Sequence, residues 1–150
     1  MQQHANLHNR MIPACCVAVI AALYVVGFVS QTELRHVVQT LPLWVGAILG
    51  YLGVRMARWV ALPLFLIWLI LMSLIWMYLL GWANVIHGHF SPVEIAMTLI
   101  VGISSLAGIV GCVPGIQSAG LLAGSGVFLL SASSQVAMLY VSFLPKFAHR

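Results

Sequence analysis

Charge is what this chain lacks. Its 150 residues include six Lys or Arg and two Asp or Glu, whereas a soluble domain is about a quarter charged. Aspartate is absent altogether, and Glu33 and Glu94 are the only acids. With 63% hydrophobic residues and a mean hydropathy of +1.09, the chain has too little polar surface to be dissolved by water. Its solvent must be lipid.

The same scarcity argues against whole classes of chemistry. No serine sits in a nucleophile-elbow pattern, and no glycine-rich loop leads into a helix with a phosphate-binding lysine. Ion pumps and ion-driven transporters spend an ionisable residue inside a span, and no long apolar run here has a central Asp, Glu, Lys, Arg or His. A central histidine would also be needed on each of two facing helices to hold a haem. There are three cysteines, and Cys15, Cys16 and Cys112 all fall near one face of the membrane. The sequence offers no pair on the other face for a thiol relay, so they read as small apolar residues.

What the chain has instead is long apolar runs. A spanning helix needs about 20 mainly apolar residues, and five stretches meet or approach this: 11–30, 41–57, 62–84, 95–113 and 120–144. Each is apolar on every face, whereas barrel strands alternate over about ten residues. The expected fold is therefore all-α, a polytopic transmembrane helical bundle forming a single membrane-embedded domain. Five spans are expected. The alternative is four, with 113–126 re-entrant or interfacial. The first run follows Arg10 like a signal peptide, but its length and the missing Ala-x-Ala pattern mark it as a retained span.

Basic residues favour the cytoplasmic side. Arg10 precedes the first run, and Arg55 and Arg58 share a short connection two spans later. Both groups are expected in the cytoplasm, which puts the N-terminus inside; the compactness of the chain makes a bacterial inner membrane the expected setting. Glu33, Arg35, His36, His87, His89 and Glu94 then face outward. Lys146 and Arg150 depart from the pattern in the five-span reading. The scattered basic residues form no nucleic-acid patch.

Smaller patterns mark the connections and faces. Ser30-Gln31-Thr32-Glu33 and Ser91-Pro92-Val93-Glu94 both fit the capping box, and a short interfacial helix is expected through Gln39. Gly46 and Gly50 form one GxxxG, and Gly120 and Gly124 another. Such spacing lets helices approach closely in lipid. Trp68, Met72 and Trp76 recur at i, i+4 and i+8 as one stripe. These glycines and aromatics read first as packing within the chain or surface toward lipid, and second as candidate contacts for a partner or a second copy. Ser131, Ser134, Gln135 and Ser142 share a face of the last run and are candidates to line a pore, or else to hydrogen-bond between helices. His36, His87 and His89 are candidate metal ligands, since imidazole suits zinc or copper.

The reading these features favour is a small non-catalytic integral membrane subunit of a larger complex. It would use no cofactor, and its partners would be lipid and other integral membrane proteins or copies of itself. The alternative is a homo-oligomeric channel or transporter for a neutral or weakly polar solute, lined by the last two runs. A third is a metal or pH-sensing site at the outward His/Glu cluster.

Overall fold

Three helices of this chain end in the same way, and those endings set the architecture. In a computed structural model, residues 2–82, 90–114 and 120–144 are described, with side chains from Arg10 onward and not that of Leu121. The described residues form five helices and no strand: α1 (Gln2–Val29), α2 (Glu33–Tyr51), α3 (Ala57–Leu79), α4 (Pro92–Cys112) and α5 (Leu121–Ser142).

At the end of α1, Thr32 N–H bonds Gly27 O at 2.8 Å and Gln31 N–H bonds Phe28 O at 3.4 Å, with Gln31 at φ +55°. This is the paired bonding of a Schellman cap. Val54 to Leu49 with Gly53 to Gly50 repeats it after α2, and Trp82 to Met77 with Gly81 to Tyr78 repeats it after α3. Gly53 and Gly81 supply the positive φ, at +67° and +74°, where a side chain would be strained.

The cap after α1 overturns the capping box expected at Ser30. Ser30 instead follows directly on α1, donating both its N–H and its hydroxyl to Val26 O. Thr32 is the N-cap of α2, with no side-chain bond to the helix end, and Glu33 is the first helical residue. The box at Ser91 is present. The Ser91 hydroxyl accepts from Glu94 N–H at 3.2 Å, and Ser91 N–H donates to the Glu94 carboxylate at 2.7 Å.

The expected second span is also corrected. Residues 33–39 do not form a separate interfacial helix before a span at 41–57. They are the first turns of one continuous helix that ends at Tyr51, and α3 begins at Ala57 rather than at 62. The reason is the Gly53 turn, which falls inside the run that looked uninterrupted. Pro42 is accommodated within α2, as Pro13 and Pro63 are within α1 and α3.

Four helical stretches are long and apolar enough to cross a membrane: Arg10–Val29, Ala57–Leu79, Pro92–Cys112 and Leu122–Ser142. The protein is thus an all-helical integral membrane protein by the length and composition of its helices. The stretch that falls short is α2, whose first turns carry Glu33, Arg35, His36 and Gln39. The fifth run, which the four-span alternative had cut short, is one of the four.

Contacts fix the order around the bundle. α1 packs on α2 and α4, α3 on α4 and α5, and α5 on α2, so the helices form a ring that α2 also closes against α3. Gly27 lies at His36 and Gly50 at Pro13, so α1 and α2 are antiparallel. Gly111 lies at Met11, and Gly102 at Met72, so α4 runs against both α1 and α3. Gly124 against Trp59 puts the starts of α5 and α3 together. Each helix therefore reverses the direction of the last. One end of the bundle, the near end, holds the α2–α3 turn, the start of α5, and Arg10, Arg55 and Arg58. The far end holds the α1–α2 turn, Glu33 and Glu94.

The core joins α1, α2, α3 and α4 and includes Val19, Leu43, Phe65, Trp68 and Val101. Helices in lipid gain no hydrophobic drive from one another, so close packing carries the association. Two glycines permit it. A Cβ on Gly108 would overlap the Phe65 ring, and one on Gly124 would overlap the Trp59 indole.

Candidate functional site: the seam between α2 and α5

The face of α2 that turns inward is unusual in being polar along its first two turns. His36, Gln39, Thr40, Leu43, Gly46, Ala47 and Gly50 are buried, a spacing that follows the helical period. Leaving buried amides unpaired costs several kcal/mol in lipid, so these residues must find partners, and most do. Gln39 Nε2 donates to Ser142 Oγ at 2.9 Å, and Ser142 Oγ donates to Leu139 O at 2.6 Å. Gln135 Nε2 donates to the Gln39 carbonyl at 3.0 Å. Toward α1, the Thr40 hydroxyl and Trp44 Nε1 both reach the Tyr24 hydroxyl, at 3.3 Å and 3.2 Å.

The seam continues to the far end. The Arg35 guanidinium lies 3.9 Å from the centre of the Phe143 ring, a cation–π contact. His36 Nδ1 bonds Thr32 O at 3.0 Å and lies near the Thr32 hydroxyl at 3.2 Å. Two seam atoms are buried without a partner among the described residues, Gln135 Oε1 and Arg35 Nε.

Beyond the seam toward the near end lies a cavity of about 210 Å³ between α2, α3 and α5. Pro42 and Val45, Val60 and Leu64, and Val127 and Leu130 form its apolar walls, and Ser131 and Ser134 are its polar lining residues.

The residues singled out in the sequence are therefore dispersed. Of the four pore candidates, Ser131 and Ser134 line the cavity, while Gln135 and Ser142 fasten α5 to α2. Among the contact candidates, Trp68 and Met72 are buried in the chain's own core and Trp76 is half-buried. Gly46 packs on Cys16 and Leu64, Gly50 on Pro13 and Ile12, and Gly124 under Trp59. Gly120 has open space where a side chain would stand. His36 is buried in the first turn of α2, and His87 and His89 lie outside the described residues, as do Lys146 and Arg150. Among the described residues, no group of three His, Cys, Asp or Glu side chains is placed to hold a metal ion. Cys15, Cys16 and Cys112 are free and buried.

Sequence reasoning missed Gln39, Thr40, Tyr24 and Arg35. The signal was present: His36, Gln39, Thr40 and Leu43 continue the same helical face as Gly46 and Gly50. The polarity of 33–40 made it look like an interface rather than the start of a packed helix.

The chain matches no protein-family model, no curated protein and no solved structure.

Proposed function

We propose that this chain is a small, non-catalytic integral membrane subunit whose last helix is its contact with a partner protein. What supports this is the exposure of α5. Only 11% of the α5 span is buried inside the chain, against 33% to 44% of the other three spans. The seam ties one face of α5 to α2 and leaves Leu129, Val136 and Tyr140 outside. The described charged side chains of the four apolar stretches, Arg10, Arg58 and Glu94, lie within a turn of the end of their stretch, which favours a structural role over ion transport.

In this proposal all five helices cross the membrane, α2 included, because its polar turns are covered by α1 and α5. The near end, with its three arginines, faces the cytoplasm, and the membrane is the bacterial inner membrane. A second reading, a self-assembled channel for a neutral solute, is favoured by the serines of the cavity. One experiment separates the two. A photo-crosslinking residue placed at Leu129, Val136 or Tyr140 in native membranes is expected to capture a different membrane protein in stoichiometric amount. Adducts to a second copy alone would replace the subunit reading with the channel, and adducts to lipid alone would remove both.

A further inference from the structure

The cavity between α2, α3 and α5 combines two features that no packing requirement explains together. Leu64 at its floor is fully buried, while Val45 and Leu130 are 52% and 73% exposed and stand at its rim. The opening therefore faces sideways, out of the bundle, where the surrounding medium is hydrocarbon. At about 210 Å³ it falls below the roughly 300–1,000 Å³ of pockets for small organic ligands. A space of that size, open to hydrocarbon, admits a short length of one lipid chain.

The second feature is charge. Arg10, Arg55 and Arg58 stand at the near end, and both carboxylates of the protein stand at the far end. Arg55 is exposed in the link between α2 and α3, five residues before the cavity residue Val60. Val60 lies three residues into α3, roughly 5 Å along the helix at 1.5 Å of rise per residue, and Arg55 stands beyond that helix start. The headgroup layer on each side of a bilayer is about 5–8 Å deep. A phosphate at the level of Arg55 therefore has its first methylenes at the level of Val60. No acid at that end is available to hold the ammonium of a zwitterionic headgroup.

We propose that this groove holds one acyl chain of an anionic phospholipid whose phosphate pairs with Arg55. Basic sites between transmembrane helices recognise anionic headgroups in this way. The inference rests on the proposed reading that α2 crosses the membrane, and it stands whether or not α5 meets a protein partner.

The full chain, purified in detergent and titrated with phosphatidylglycerol or phosphatidylethanolamine of identical chains, tests this by native mass spectrometry. One phosphatidylglycerol per chain is expected, retained about fivefold better than phosphatidylethanolamine, and Arg55→Gln is expected to erase that preference. Ser131→Phe fills the groove and removes both lipids, while Ser133→Phe, on the exposed face of the same helix, leaves binding intact. If Ser131→Phe does not fold, Val45→Phe at the rim fills the same space. Equal retention of the two lipids, or retention unaffected by the groove-filling variant, overturns the proposal.

Discussion

Two glycines that look alike in the sequence have opposite surroundings. Gly120 and Gly124 form one GxxxG, yet Gly124 carries the Trp59 indole on its backbone and Gly120 faces open space. Gly124→Ala should therefore cost about 1–3 kcal/mol through forced repacking, whereas Gly120→Ala meets no neighbour and should lose only its N-cap preference, at most about 1 kcal/mol. Thermal unfolding in detergent, followed by helix content, checks the contrast, and equal losses would contradict the packing described. The seam makes a second prediction at this scale. A double-mutant cycle on Gln39→Ala and Ser142→Ala should give a coupling of about 0.6 kcal/mol, the usual value for one hydrogen bond between membrane helices. Gln135→Leu should cost less than about 1 kcal/mol, because it removes an unpaired buried carbonyl along with one bond. A loss of several kcal/mol would mean that Gln135 Oε1 has a partner.

At the scale of the helix, apolar length was easy to read and boundaries were not. α1, α4 and α5 follow from unbroken apolar runs, and Ser91-Pro92 announces the start of α4. The division between α2 and α3 was hidden, because Gly53 resembles the other glycines of its run and only the backbone reveals its positive φ. α2 is where a hydropathy window leaves out what matters. Its polarity is satisfied by Tyr24, Gln135 and Ser142, residues distant in sequence, and a window average has no access to such partners. The candidate site suffered the same fate. Ser142 and Gln135 were visible as a polar face, but their partner Gln39 lay in a segment taken for the membrane surface.

For the whole molecule, the alternation of five helices has one consequence that labelling can check. If α2 crosses the membrane, the turn at Gln31 and the turn at Val54 lie on opposite sides. In a background with Cys15, Cys16 and Cys112 replaced by alanine, Gln31→Cys and Val54→Cys should react with a membrane-impermeant maleimide from opposite faces of sealed vesicles. Reaction from the same face would mean that α2 does not traverse. The asymmetry of charge belongs to this scale too. Among the described residues three arginines stand at one end and Arg35 at the other, and in the proposed topology this excess of basic residues sets the first end on the cytoplasmic side.

The bond from Gln39 to Ser142 links residues 103 positions apart. A ribosome adding about 5–20 residues each second needs on the order of 5–20 s to travel between them. Throughout that interval a newly made α2 has an unmatched amide face and nothing from α5 to cover it. α1 and α2 are thus expected to be retained together, as a hairpin sheltered from lipid, until the last helix emerges and closes the bundle. If α2 crosses the membrane, α5 is then both the latest of the five to be synthesised and the one that lets an earlier helix settle in the bilayer.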